Sequence, residues 1–279
     1  MNLRKKLAMS LIAAGLFSAG AAQAAIEDFS TGNSSVVLSL VDSVSGVSAL
    51  FDLGAHLNDL SANINTVGYG LNFDLASGNY ATAFNSFLAA STNHANIKWN
   101  VISGDSSLGA ARYLSTSTTA DSSVIKTSNS KIENFSITNA YLSNSNPQGN
   151  HSSVTDGADQ VSSAAGKAYF VNGFGADKWF NNAPFITLAA LGTAQKFWYI
   201  TDNGAGGTSF GSLHPFGVDT NGDGVVGANP GGTSEYGVWN VSTTGVVSFA
   251  NPVPEADTWA MFAAGLIAVG AIARRRLSV

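Results

Sequence analysis

The distribution of apolar positions predicts a chain built mainly from β-strands. Residues 34–41 and 47–54 combine β-branched and other apolar side chains on either side of a turn-forming segment at 42–46, which indicates a hairpin. Similar runs follow at residues 97–104, 185–191, 195–200, 236–241 and 246–249. Because these strands follow one another without sustained βαβ alternation, we expect a mainly β body of the β-sandwich or jelly-roll type.

Helical periodicity is confined to short segments of the body. Residues 79–91 place aromatic side chains near helical spacing, which predicts one short amphipathic helix. Two stretches rich in Ser, Thr, Asn and Asp, at residues 115–130 and 144–163, predict loops. Small residues between 158 and 168 predict a second short helix there. The expected body is therefore β-rich with one or two short helices.

Residues 1–24 have the three parts of a secretory signal peptide. A basic segment at 4–6 precedes an apolar run at 7–17, and small residues stand at Ala22 and Ala24. This order predicts passage through the export machinery and cleavage by signal peptidase before Ala25. The exported domain is then expected to span residues 25–252.

The C-terminus carries an apolar segment followed by a basic cluster. Residues 258–273 are uncharged and largely apolar, and Arg274, Arg275 and Arg276 follow at once. As a helix this segment is about 24 Å long, which is somewhat short of the ~30 Å thickness of a bilayer's hydrocarbon layer. It predicts a single transmembrane helix that holds the chain in the membrane before processing. The arginines resist translocation, so the body is expected to face outward.

The residues before this segment complete a recognisable pattern. Val253, Pro254 and Glu255 lead into the apolar run and the arginine cluster, so the tail at residues 253–279 resembles a PEP-CTERM sorting signal of Gram-negative bacteria. Ala256 stands where the second proline of that motif usually falls. The resemblance implies recognition by an exosortase, a transpeptidase-like membrane enzyme, and transfer to the cell surface or the exopolysaccharide matrix.

Composition restricts the classes of partner and chemistry. Between residues 25 and 252 the chain has seven basic and 16 acidic residues, a formal charge of −9, so we expect no nucleic-acid partner. Cysteine is absent, which excludes disulfides, thiolate nucleophiles and Cys-ligated metal sites. Only 11% of the residues are charged, which is typical of turn-rich β structure here rather than of a charged helical bundle.

One segment resembles the start of a calcium-binding loop. Asp219, Asn221 and Asp223 supply oxygen atoms at alternate positions, Gly224 permits the sharp turn, and the carbonyl of Val225 would be a further ligand. The twelfth position of the loop is Pro230, so the usual bidentate carboxylate is missing. The sequence favours a solvated turn and leaves a weak, structural calcium site as the alternative.

No catalytic constellation emerges from the remaining motifs. Ser209 lies in a Gly-x-Ser-x-Gly match, but neither a preceding strand nor a following helix is predicted, and no acid separates it from His214. The four histidines are scattered without metal-ligand spacing, at positions 56, 94, 151 and 214. The body's three glutamates, at positions 27, 133 and 235, single out no carboxylate pair.

Aromatic residues suggest one candidate surface for ligand contact. Trp99 and Trp239 lie in predicted strands, where core packing is the expected role. Trp179 and Phe180 lie in a Gly- and Asn-rich setting and are the better candidates for an exposed aromatic patch.

The sequence favours a non-enzymatic exported protein of the cell surface or extracellular matrix, which is associated with exopolysaccharide in a biofilm. Two alternatives stay open. The body could be a carbohydrate-binding or adhesion module, and less readily a secreted hydrolase.

Overall fold

The computed structural model of the protein describes residues 25–107, 111–174, 185–202, 209–219, 226 and 235–253. Eleven strands lie within these ranges: β1 Ser35–Asp42, β2 Val47–His56, β3 Gly70–Asp74, β4 Lys98–Asp105, β5 Arg112–Ser117, β6 Ala158–Ser162, β7 Ala189–Ala190, β8 Gln195–Thr201, β9 Ser212–Pro215, β10 Val238–Val241 and β11 Val246–Ala250. The α-helices in the same ranges are short: α1 Leu57–Ser61, α2 Ala81–Ala90, α3 Asp121–Val124, α4 Asn129–Glu133, α5 Asn139–Ser145 and α6 Phe170–Gly173.

The strands form one antiparallel sheet, and this sheet curls into a half-barrel. Its main order is β3-β11-β10-β8-β5-β4-β1-β2-β6, while β7 pairs with β4 and β9 pairs with β8. The hairpin of β1 and β2 turns through residues 43–46, where Gly46 has a φ of 68°. Strands from both ends of the described chain meet in the sheet, because β3 pairs with β11.

Helix α2 packs against the inner face of the curl. Phe84 and Phe87 of this helix are buried with core side chains from strands as far apart as β1 and β11. At one end of the curl α2 contacts β2 and β6. At the other, a Cβ atom on Gly245, in the turn between β10 and β11, would lie 2.7 Å from the Phe84 ring. The helix therefore bridges the two ends of the half-barrel.

The outer face of the sheet is also covered. Val37 and Leu50 of the β1–β2 hairpin pack there with Tyr141 of α5, Phe170 of α6 and Ile132 of α4 in a second apolar cluster. Short helices therefore form a layer over the central strands. At the central strands both faces of the sheet are consequently removed from water, as the fully buried β1 shows.

The prediction of a β-sandwich or jelly roll was wrong, although the chain is mainly β. Two facing sheets would each have one solvated face, whereas every residue of β1 is buried. The near-continuous apolar run of Val36, Val37 and Leu38 is the sequence signature of such a strand. The structure therefore has one sheet that closes over its own inner core and carries helices on its outer face.

The expected transmembrane helix is also corrected. No helix among the described residues is long and apolar enough to cross a membrane. The segment at residues 258–273, to which this helix was assigned, lies outside the described residues.

Candidate functional site

A groove of about 750 Å³ lies beside β9, the strand that pairs with β8 outside the main strand order. We call it the β9 groove. It is lined by polar, aromatic and aliphatic side chains, among them Asn65, Asp121, Ile125, Tyr199, His214 and Tyr236. Its volume falls in the range of about 300–1,000 Å³ that is typical of ligand pockets.

A charged cluster fixes one wall of the β9 groove. The ammonium of Lys196 lies 2.5 Å from Oδ1 of Asp121 and 3.9 Å from the centroid of the Tyr236 ring. The Tyr236 hydroxyl donates a hydrogen bond to the other oxygen of Asp121. Burial, and then the neighbouring Asp121 carboxylate, raise the pKa of Tyr236, so this hydroxyl stays protonated at neutral pH.

The strands β8 and β9 place two further side chains at the β9 groove. Tyr199 pairs with His214 across the two strands, so the two side chains lie on the same face. Nε2 of the exposed His214 lies 2.8 Å from Oγ of Ser212. The groove therefore presents a partly exposed aromatic ring on a paired strand.

A second cavity, of about 380 Å³, lies between α2 and the edge strand β6. Asn79, Asn150 and Gln160 contribute amide groups to its lining, and Thr82 and Ser86 contribute hydroxyls. Six of its nine described lining residues are polar. Aromatic residues are absent from its described lining, so it offers hydrogen bonds without a stacking surface.

A histidine and a carboxylate are buried together near this cavity. Nε2 of His151 lies 3.3 Å from Oδ2 of Asp159, and neither side chain has more than 1% of its surface exposed. The distance permits attraction, but the angles are poor for a hydrogen bond. Burial raises the pKa of Asp159, and the attraction of His151 opposes that shift. The pair is sealed from solvent, which separates it from any external substrate.

Most of the predicted site residues fall outside the described ranges. These are Ala22, Ala24, Pro254, Glu255, Arg274, Arg275 and Arg276 for export and sorting, Asn221, Asp223 and Val225 for calcium, and Trp179 and Phe180 for ligand contact. Val253 is described and is 67% exposed. Asp219 is described without the other loop residues, so calcium binding stays a prediction. Within the described ranges, groups of three or more acidic or histidine side chains that could hold a metal ion are absent.

The structure separates the serine of the Gly-x-Ser-x-Gly match from a base. The hydrogen-bond partner of His214 is Ser212, two residues away on β9, rather than Ser209. Ser209 lies in a bend and its carbonyl accepts a hydrogen bond from the backbone N–H of Asn129. In the described residues after Ser209 the strand β9 follows, whereas a nucleophilic serine of this motif is followed by a helix.

Core packing is the role of the described tryptophans. Trp99, Trp198 and Trp239 are each at most 1% exposed. The expectation for Trp99 and Trp239 is therefore confirmed. Trp198 is among the residues that line the β9 groove, but its side chain is buried in the outer apolar cluster.

Comparisons with protein-family models, with curated proteins and with solved structures found no match to this chain.

Sequence reasoning did not identify the β9 groove as a site. Its residues come from segments as far apart as Asn65 and Tyr236, and Asp121 lies in a stretch that was predicted to be a loop. The adjacent aromatic residues Trp198 and Tyr199 were the available signal, since one of two neighbours in a strand must face away from the other.

Proposed function

We propose that this chain is an exported, non-enzymatic protein of the bacterial cell surface or extracellular matrix, delivered there through its C-terminal sorting tag at residues 253–279. One observation carries the proposal. Among the described residues, the fold is anchored at one end by Ile26 and at the other by Asn251 and Pro252, which lie between the predicted signal-peptide site and the Pro254-Glu255 motif.

At the N-terminal boundary, the fold begins with Ile26. This side chain is buried, and its carbonyl accepts a hydrogen bond of 3.0 Å from the Asn146 side chain. The next carbonyl, of Glu27, accepts one of 2.9 Å from the backbone N–H of Ser35. Cleavage before Ala25 would leave all of these contacts intact.

At the C-terminal boundary, the last anchors are Asn251 and Pro252. The Asn251 amide donates hydrogen bonds of 3.0 Å to the carbonyls of Asn63 and Thr66, and the Pro252 carbonyl accepts one of 3.3 Å from Gly68. The next residue, Val253, is largely exposed. A processing enzyme that acts at Pro254-Glu255 would therefore remove nothing that these anchors use.

Several titratable side chains among the described residues support a structural role for the body. Asp105 is held by Arg112, and Asp121 is held by Lys196 and Tyr236. His151 and Asp159 are closed off from solvent. These groups are committed to the fold, so we assign the body no catalytic step.

The proposal is tested in the native host by intact-mass analysis of the exported protein and by separation of membrane, surface and medium fractions. We expect a mature N-terminus at Ala25, and we expect Glu255→Ala to abolish C-terminal processing and change the location. Asp257→Ala is the matched control, because it removes a negative charge two residues away and should leave processing unchanged. An unprocessed surface protein, or equal effects of the two substitutions, would refute the sorting role.

A further inference from the structure

We propose that the β9 groove binds a neutral glycan chain, with one pyranose ring stacked on Tyr199 and hydroxyls of other sugars in the chain bonded to Asn65 and Asp121. This inference deepens the proposed function, since it names a partner that an exported surface protein would meet. It is argued from the lining of the groove alone.

The charges at the groove select against anionic ligands. Asp121 contributes a carboxylate to the lining. Apart from the imidazole of His214, no basic side chain lines the described part of the groove. The ammonium of Lys196 is already engaged by Asp121 and by the Tyr236 ring. The surrounding body has a formal charge of −9, so an acidic polymer would also be repelled at longer range.

The polar groups select against a purely apolar ligand. Such a ligand would cover the Asn65 amide, the Asp121 carboxylate and the His214 imidazole without replacing their hydrogen bonds to water. Each buried polar group that loses its partner in this way weakens binding. The occupant therefore needs hydrogen-bonding groups of its own.

A glycan chain satisfies the polar and the apolar parts of this lining. Lys196, the partner of Asp121, and Tyr199 are three positions apart in β8, so Tyr199 and Asp121 lie on opposite faces and would contact different sugars of the chain. Hydroxyls can donate to the carboxylate of Asp121 and accept from the amide of Asn65. The C–H face of one sugar can lie against the partly exposed ring of Tyr199, and another sugar can lie against Ile125, which is 49% exposed.

The test uses the protein purified from the native host, from whichever fraction holds it, and titrates it by calorimetry to millimolar saccharide. The neutral probes are cellohexaose, xylohexaose, mannohexaose and the hexamer of N-acetylglucosamine. A polygalacturonate hexamer is the anionic probe, and a neutral hexapeptide of Ser, Thr and Asn is the peptide probe. We expect at least one neutral hexasaccharide to bind and the polygalacturonate not to bind.

Two substitutions at exposed positions locate the binding. Ile125→Arg places a long side chain across the groove, where it can pair with Asp121, and should lower the association constant by about tenfold or more. Asn65→Ala removes one pair of hydrogen-bonding groups and should lower it by about threefold to tenfold. The matched control is Val44→Arg, since Val44 is an aliphatic residue that is 75% exposed in the β1–β2 turn. This control should bind like the wild type.

The proposal is overturned if none of the four neutral saccharides binds, if only the peptide or the polygalacturonate binds, or if Ile125→Arg binds as the wild type does. Circular dichroism and melting temperatures confirm that each variant is folded. Because export and sorting are measured from mass and location, their failure is distinguishable from failure of glycan binding.

Discussion

Nε2 of His151 lies 3.3 Å from Oδ2 of Asp159, and the two side chains share a site from which solvent is excluded. Asp159 projects from the edge strand β6, while His151 belongs to the segment that precedes this strand. Gly157 leaves room for the imidazole, since a Cβ atom at that position would lie 2.8 Å from Nδ1 of His151. Burial removes the water around both groups, and the free-energy cost of this desolvation can exceed the attraction between the two groups.

Removal of the Asp159 charge should therefore stabilise the protein at neutral pH. Burial raises the pKa of Asp159 above its ordinary value of 3.8, so the folded state binds a proton more readily than the unfolded state does. The carboxyl thus favours folding at low pH, and this contribution is lost as pH rises through the raised pKa. Because the raised pKa makes the charged carboxyl the costly form and an amide resembles the neutral carboxyl, we expect Asp159→Asn to increase the free energy of unfolding at pH 7 by on the order of 1 kcal/mol. Urea denaturation from pH ~4 to pH ~7 measures the difference, which should grow with pH.

Glu133→Gln is the control for this series, because Glu133 is exposed and its loss removes the same charge. Its effect should be small at every pH. If Asp159→Asn instead destabilises the protein most strongly at pH 7, the pair is a net stabilising ion pair and the interpretation fails.

The ion pair of Arg112 with Asp105 should have the opposite pH dependence. Nη2 of Arg112 lies 2.7 Å from Oδ2 of Asp105 and 3.1 Å from the carbonyl oxygen of Gly32. Burial raises the pKa of Asp105, but hydrogen bonds from Ser107 and Arg112 outweigh it and hold the pKa below its ordinary value. The pair therefore stabilises the fold above the unfolded pKa, and this contribution is lost as pH falls through the lowered value.

We expect Arg112→Ala to reduce the free energy of unfolding by about 2 kcal/mol at pH 6, because it leaves the nearly buried Asp105 carboxylate without its main partner. The loss should be smaller near pH ~3, where the carboxyl group begins to be protonated. Lys131→Ala removes an exposed positive charge and serves as the control. Equal losses for the two variants would show that only net charge matters.

The sequence predicted those strands whose side chains carry a strong local pattern. The first hairpin is confirmed as β1 and β2, the last as β10 and β11, and the helix expected at residues 79–91 as α2 with its preceding turn. In these segments the apolar or alternating residues are the ones that the sheet and its inner core bury. Local pattern and tertiary burial agree there.

The prediction failed where pairing with a distant strand decides the structure. Small residues between 158 and 168 predicted a helix, but Ala158–Ser162 forms the edge strand β6 through pairing with β2. Those five residues carry weak strand preference, so tertiary contacts override them. The β9 groove was missed for a related reason: its lining depends on the cross-strand pairing of Tyr199 with His214, which sequence spacing does not encode.

The bridge that α2 makes across the curl can be tested at Gly245. This glycine has a φ of 90°, and an added Cβ would lie 2.7 Å from the Phe84 ring. Gly245→Ala should therefore combine backbone strain with a clash and reduce the free energy of unfolding by about 2–4 kcal/mol. Gly192→Ala is the matched control, since Gly192 also has a positive φ, of 79°, but an added Cβ there would have no atom within 4 Å. This variant should lose only about 1 kcal/mol of unfolding free energy. Denaturant titration compares them, and equal losses would argue against tight packing of α2 on this turn.

The C-terminal limit of the folded body should lie at Pro252. The Asn251 side chain is 2% exposed, its amide bonds to the loop at residues 63–66, and its backbone N–H donates to the Tyr69 carbonyl over 2.8 Å. We expect a chain of residues 25–252 to unfold cooperatively with β-rich circular dichroism.

A chain of residues 25–250 should lose about 2–4 kcal/mol of unfolding free energy, because several hydrogen bonds of about 1 kcal/mol each disappear together. The single substitution Asn251→Ala should account for about half of that loss, since it keeps the backbone bonds. If the shorter chain is as stable as the longer one, the anchors at Asn251 and Pro252 do not define the end of the fold, and the boundary argument for a removable sorting tag loses its support.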